Sequence, residues 1–276
     1  MPADLHIHSN LSDGTHSPEE VVELAVAGGL KTIALTDHDI VDGIEPAQKK
    51  GKELNLEVIP GIEFTTEMPN CEVHILGYYI DYHHPKLLAV LEKIQDDRVK
   101  RIYKIVEKLK ELKVNIVPDE VLAISGKKAP GRPHVARALI YKGVVANFKE
   151  AFTRFLDFRA PAYVPHYKLS PAEAIRLIGE VKGIAVFAHP GVSNCDRMIP
   201  ELMAEGLAGL EVYYSGHRPY QTKHYLNLAR KYGLLVTGGS DFHGLDSGRE
   251  VKLGELSIPD ELVDKLRDEY LRRNKS

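Results

Sequence analysis

Apolar positions along this chain fall into short strand-like blocks joined by stripes at helical spacing. The first block alternates from Asp4 to His8, so Leu5 and Ile7 enter an apolar layer while His6 and His8 share a face. Ser17-Pro18-Glu19-Glu20 reads as a helix start, with Ser17 as N-cap and Pro18 at the first helical position. Val21, Val22, Leu24, Ala25 and Val26 continue that helix to Gly28-Gly29. Thr32 to His38 is an apolar strand ending in polar residues, residues 45–55 read as helical, and Leu56 to Glu63 is a third strand. This rhythm predicts parallel βαβ units. A fourth strand, Val73 to Ile80, follows a turn near Pro69-Asn70 that is too short for a crossover helix. Strands three and four are therefore expected to form an antiparallel hairpin that brings Glu63 beside His74.

From Pro85 to about Pro161 the pattern changes. Leu87, Leu91, Ile94, Ile102, Ile105 and Leu109 recur at helical spacing, predicting one long or two abutting helices. Further helices are expected after Pro118, from Pro133 to about Lys142 and from Asn147 to Phe155. The βα rhythm then resumes, with strands at 183–189, 207–214 and 234–243 and helices at about 171–181, 199–205 and 219–232. Seven strands result. Residues 1–84 and 162–276 are thus assigned to one α/β domain, and 85–161 to a helical insertion that caps its mouth.

Composition changes this picture little, except in histidine. The 276-residue chain has net charge −3, so no global field attracts long nucleic acid, although a local basic pocket could hold a short phosphorylated substrate. No basic-then-apolar leader or membrane-length apolar run is evident. Cys71 and Cys195 lack metal-type spacing and are expected to be reduced and partly buried, which fits a cytoplasmic protein. Thirteen histidines are many for this length.

Their placement is informative. Polar residues at or just after the C-terminal ends of the strands are His6 and His8, His38, Glu63, His189, and Asp241 with His243; His74 joins them through the hairpin. In a closed parallel barrel these ends gather on one face. Asp13, at a Ser-Asp-Gly turn, is close enough to fold back toward the first two imidazoles. Imidazole mixed with carboxylate suits zinc, iron or manganese.

His6-x-His8, Thr36-Asp-His38-Asp39, Pro60-Gly-Ile-Glu63, His74-Ile-Leu-Gly77, Ala188-His189-Pro190 and Gly239-Ser-Asp-Phe-His243 resemble, in this order, the motifs of the PHP (polymerase and histidinol phosphatase) superfamily. The resemblance runs nearly end to end. It implies a distorted (β/α)7 barrel, the PHP fold, with two or three divalent ions (Mn, Zn or Fe) at its mouth. Matching motif to motif, one ion would take His6, His8, Glu63 and Asp241; a second would share Glu63 and add His74 and His189; a third would take Asp13, His38 and His243. Asp4, Asp37 and Asp39 would orient ligating imidazoles or serve as turn and capping residues. His16 is not among the matched ligands and is read as a surface residue.

Such a site suits phosphoester hydrolysis, with a metal-bound hydroxide held by Glu63 and Asp241 as nucleophile. Neither a serine nucleophile elbow nor a Walker loop is evident. Pro130-Gly131-Arg132-Pro133-His134 places Arg132 and His134 at a helix start, where backbone N–H groups favour anions. Arg137, Lys168 and His217 are further candidates to face the mouth. The insertion and its Gly-Arg-Pro-His motif resemble the PHP subgroup of nucleoside 3′,5′-bisphosphate phosphatases and 5′→3′ exoribonucleases, which implies a nucleotide or a short 5′-phosphorylated oligonucleotide as substrate. Two readings stand beside it: a histidinol-phosphatase-like phosphomonoesterase, and a non-catalytic polymerase-associated module. Carbon–nitrogen hydrolysis would require a lysine at a strand end to form a carboxylated bridge, and none is present. The sequence leaves the oligomeric state open.

Overall fold

A computed structural model describes residues 2–68, 71–125, 129–165, 167–244 and 251–275. Seven strands form one sheet in sequence order: β1 (Ala3–Ile7), β2 (Thr32–Leu35), β3 (Glu57–Met68), β4 (Cys71–Tyr78), β5 (Ile184–Phe187), β6 (Gly209–Tyr214) and β7 (Leu235–Gly239). All neighbouring pairs are parallel except those that β4 makes with β3 and β5. The sheet nearly closes on itself, because Asp241 N donates to His6 O at 2.9 Å and His8 N to Phe242 O at 2.9 Å. Gly239 permits that approach, since a Cβ there would collide with the backbone of His6. The α/β barrel expected from the strand count is therefore present. β1, β2 and β5 are buried throughout, as strands covered on both faces must be.

Helices join the parallel strands and cover the barrel. Helix α1 (Pro18–Ala27) starts in a full capping box, with Glu20 N donating to Ser17 Oγ at 3.2 Å and Ser17 N to Glu20 Oε2 at 2.7 Å. Helix α2 (Ile44–Leu54) connects β2 to β3. The hairpin is as expected, with Thr65 opposite His74, while the turn itself, at Pro69-Asn70, lies outside the described residues. β3 runs beyond the expected end at Glu63 because it continues to pair with β4 as far as Met68 after its ladder with β2 stops at Pro60. Glu63 thus sits in the middle of a strand rather than at its end.

Residues 85–111 form a single helix, α3 (Pro85–Glu111), shared between two cores. Its first half, through Leu87, Leu91 and Ile94, packs with the barrel; its second half, through Ile102, Ile105 and Leu109, packs in a separate cluster reaching to Val164. α4 (Pro118–Ser125), α5 (Arg132–Tyr141) and α6 (Phe148–Ala151) complete that helical region. The helix expected over 147–155 is short and widens into a π-helical turn at Phe152–Leu156. Helices α7 (Pro171–Glu180), α8 (Pro190–Ser193), α9 (Ile199–Ala204), α10 (Pro219–Tyr232) and α11 (Asp260–Arg273) return to the barrel. Among the described residues no helix is long and apolar enough to cross a membrane. One expectation fails: Cys195, buried in the barrel core, is disulfide-bonded rather than reduced. A disulfide is set by tertiary approach, which spacing in the sequence does not record.

Candidate metal centre

Strand β1 and the residue that follows it deliver the first two candidate ligands, His6 and His8. His6 Nε2 and His8 Nε2 lie 3.1 Å apart, fully buried. His6 Nδ1 is 2.9 Å from Glu211 Oε1, so Nδ1 carries a proton and Nε2 is the nitrogen turned toward the cluster. Glu211 had not been singled out from the sequence. It lies on β6 with both oxygens engaged, since His189 N donates to Oε2 at 2.7 Å. His243 is oriented in the same way: Nδ1 is 2.8 Å from the carbonyl of Asp241, leaving Nε2 to face Asp13 Oδ1 at 3.1 Å.

Glu63 is the hub. Its Oε2 is 3.3 Å from His6 Nε2, 3.2 Å from His8 Nε2 and 3.0 Å from His38 Nδ1. Its Oε1 is 2.8 Å from His74 Nδ1 and 3.0 Å from His189 Nε2. Asp241 Oδ1 is 3.2 Å from His8 Nε2 and 3.5 Å from His6 Nε2. Despite these approaches, Glu63 Oε2 is buried and meets hydrogen-bond geometry with none of the nitrogens around it. A carboxylate oxygen encircled by imidazole nitrogens and left without a hydrogen is the donor set a divalent transition metal takes, so these residues fit the ions that the motifs imply.

Three overlapping groups have ligand atoms within 4.8 Å of one another: His6, His8, Glu63 and Asp241; His38, Glu63 and His74; and His8, Asp13, His38 and His243. The first is the set expected from the motifs. The other two differ at their edges: His8 joins Asp13, His38 and His243, while His38 takes the place of His189 beside Glu63 and His74, with His189 Nε2 still 3.0 Å from Glu63 Oε1. Electrostatics tie the cluster together. Burial opposes protonation of His6 and His8, yet neighbouring carboxylates raise both, His8 to about 9. His74 rises to about 9 against burial, through Glu63 and Glu72. Burial takes His38 well below the usual imidazole range.

Backbone strain marks the same ring. His189, Asp241 and Asp39 take positive φ (29°, 56° and 54°), a region that residues with a Cβ enter at a cost and that clusters at functional sites. Asp4, Asp37 and Asp39 do not orient ligating imidazole rings. Asp4 accepts from the backbone of His6 and Ser240, Asp37 from Ser9 and Ser12, and Asp39 from Thr65 N and Arg98. Their hydrogen bonds instead pin the backbone of segments that carry candidate ligands.

Beside the cluster opens a cavity of about 180 Å³, where Asp13, His38 and His74 meet Arg98, Arg101, Arg132 and Lys168. Arg132 and Lys168 both line this cavity and pair with Glu72: Arg132 Nη2 at 3.2 Å from Oε1 and Lys168 Nζ at 2.8 Å from Oε2. Burial pushes the Glu72 carboxyl up, but His74, Lys168 and Arg132 hold it well below the usual range. Arg101 is almost wholly buried. Its Nε donates to Val164 O at 2.7 Å, and its Nη2 has no hydrogen-bond partner among the described residues. Burial, then Arg132 and Arg98, lower it to about 9, so an anion arriving there would be welcomed.

The other substrate candidates lie elsewhere. His134 is buried behind the mouth, accepts from Gly131 N at 3.0 Å and is kept neutral by burial, which lowers it to about 4. His217 has both ring nitrogens on the backbone, at 2.9 Å from Val212 O and 3.1 Å from Gly191 N. Arg137 donates to Asp13 O at 2.7 Å and Gly14 O at 3.4 Å. Arg98 and Arg101 were missed, although a signal exists: they share the buried stripe of α3 with Ile94, Ile102 and Ile105.

Comparison with known proteins agrees with this geometry. The PHP domain model matches residues 4–157. The chain is 34% identical over 265 residues to a 5′-3′ exoribonuclease of Haemophilus influenzae, covering 93% of this chain and 96% of the relative. It is 31% identical over 255 residues to a 3′,5′-nucleoside bisphosphate phosphatase of Chromobacterium violaceum, covering 90% of each. A crystal structure of a candidate metal-dependent phosphoesterase from Bifidobacterium adolescentis superposes with a TM-score of 0.89 at 32% identity, over 98% of this chain and 96% of that one. With its strand-borne histidine and carboxylate ring and these relatives, the chain belongs to the PHP family of metal-dependent phosphoesterases.

Proposed function

We propose that this chain is a metal-dependent phosphoric ester hydrolase that releases phosphate from a nucleoside 3′,5′-bisphosphate or trims short 5′-phosphorylated oligonucleotides. One observation carries the reading: a ring of metal-type ligands opens directly onto a cavity lined by Arg98, Arg101, Arg132 and Lys168. His6, His8, Glu63 and Asp241 would hold one ion; Glu63, His74 and His189, with His38 close by, a second; and Asp13, His38 and His243 a third. Their mixture of imidazole and carboxylate suits manganese, zinc or iron. Such ions, when bound, acidify water and neutralise phosphate oxygens.

The chain's own side chains supply the rest. Glu211 keeps the His6 proton on Nδ1, so that Nε2 stays free to ligate. Arg101 offers a buried guanidinium to the substrate's second phosphate, and Arg132 and Lys168 can join it once Glu72 is displaced. Cations on that wall favour a substrate with two phosphates over histidinol phosphate, whose amine would call for an acidic partner. A nucleotide substrate also fits a cytoplasmic place of work. The test is a metal-supplemented assay of adenosine 3′,5′-bisphosphate, short 5′-phosphorylated RNA and histidinol phosphate. Turnover of either nucleotide above histidinol phosphate supports the reading, and preference for histidinol phosphate overturns it.

A further inference from the structure

Among the polar contacts that the helical region makes with the barrel, two sets fall on the loops that carry Asp13 and His38, which are grouped together with His243. Asp13 lies in the loop after β1, within a backbone knot in which Gly14 N bonds Ser9 O at 2.9 Å and Asn10 N bonds His16 O at 2.7 Å. Its carbonyl faces α5, where Arg137, mostly buried, donates to Asp13 O at 2.7 Å and Gly14 O at 3.4 Å. His38 is followed by Asp39, whose left-handed backbone needs external support. β3 supplies part of that support, through Thr65 N to Asp39 Oδ1 at 3.2 Å and Asp39 N to Glu63 O at 3.1 Å, and α3 supplies the rest. Arg98 Nε donates to Asp39 Oδ2 at 3.1 Å, its Nη2 makes a second contact with the same oxygen, and Gln95 Nε2 donates to Asp39 O at 3.0 Å. Arg98 also reaches Thr65 Oγ1 at 3.2 Å and Pro130 O at 3.4 Å, so it links the His38 loop to the approach of α5.

The neighbouring group is supported differently. His6 is oriented by Glu211 on β6, Asp241 receives Tyr214 Oη at 3.2 Å from the same strand, and Asp4 holds Ser240 N at 2.9 Å. Those supports all belong to the barrel. α5 is fixed to its own apolar cluster through Val135, Ala136, Ala138 and Leu139, so Arg137 is held as firmly as that cluster is packed.

We infer that Arg98 and Arg137 are positioning residues for the Asp13, His38 and His243 metal position, so that docking of the helical insertion governs this position and not the one formed by His6, His8, Glu63 and Asp241. The inference rests on the reading that the cluster holds divalent metal ions. Neither arginine acts as a ligand; each fixes a loop from which one ligand projects. Loss of such support weakens a metal by about 10- to 100-fold.

The experiment uses the full chain and the Arg137→Met variant, because breaking the buried Arg98–Asp39 pair threatens the fold itself. Titration of the metal-stripped protein with Mn²⁺ counts classes of site, and amide hydrogen exchange of the metal-stripped protein follows residues 9–16. The expected result is that one class weakens at least about 10-fold while the others hold, and that exchange quickens in residues 9–16 but not along β6 and β7. Arg137→Lys, which can still donate to one carbonyl, should recover part of both changes. Unchanged classes, or all classes weakened alike, would overturn the inference. If the parent protein binds no Mn²⁺, the functional reading fails instead, and unchanged exchange at residues 9–16 would still overturn the positioning role.

Discussion

Glu211→Gln isolates one feature of the cluster without removing a ligand. Glu211 accepts two donors on two separate oxygens, His6 Nδ1 at 2.9 Å and His189 N at 2.7 Å, in a site with no solvent access. Glutamine offers one carbonyl oxygen and one NH₂. If the oxygen keeps His189 N, the amide donor meets His6 Nδ1, and the ring can relieve the clash only by moving its proton to Nε2, the nitrogen that faces Glu63 and Asp241. If the oxygen turns to His6 instead, the backbone N–H of His189 is left facing a donor. A charge-assisted hydrogen bond is worth about 1.5–3 kcal/mol, which is about 10- to 150-fold in an equilibrium constant. The expected change is a loss of that size in affinity at the position containing His6, measured by competition with a chromophoric chelator, with circular dichroism confirming the fold. A folded Glu211→Gln protein binding metal within about twofold of the parent would refute the argument that the tautomer of His6 is set by Glu211.

Three further outcomes follow from the mouth and its charges. Glu72→Gln should lower KM for phosphorylated substrates by up to about fivefold, the worth of a partly exposed ion pair, since it frees Arg132 and Lys168; a raised KM would show that Glu72 binds substrate rather than competing with it. Arg101→Met should raise KM for adenosine 3′,5′-bisphosphate well above its effect on a simple phosphate monoester, and equal effects on the two would remove Arg101 from recognition of the second phosphate. Metal loading should release protons, because His8 and His74 in the metal-free protein hold theirs up to about pH 9. Calorimetry near pH ~7.5 in buffers of different ionisation enthalpy reads that release, and heats independent of the buffer would contradict it.

Much of this candidate centre can be read from the sequence because its histidines and carboxylates come from regular positions. His6 lies on β1 and His8 just past its end, two residues on, and His38, His189 and Asp241 each follow an apolar strand, so strand period and barrel closure bring them together. Even His74 follows from a loop too short for a helix. What is not legible is support across elements. Glu211 is one carboxylate within Leu210-Glu211-Val212, and only the closed barrel puts it under both His6 and His189. The roles of His134 and Arg137 depend on how α5 docks, which no local pattern specifies; His134 accepts from Gly131 N and Arg137 donates to the carbonyl of Asp13. Glu72, ordinary in a hairpin, becomes consequential because Arg132 and Lys168 arrive from distant segments.

The central claim is that this cluster holds divalent metals that hydrolyse phosphate esters, and metal analysis joined to activity tests it most directly. Protein purified, stripped with chelator and reloaded should retain two or three equivalents of manganese, zinc or iron and hydrolyse adenosine 3′,5′-bisphosphate only when loaded, with Asp241→Ala folded but inactive. Retention of no transition metal, or hydrolysis that survives stripping, would contradict it.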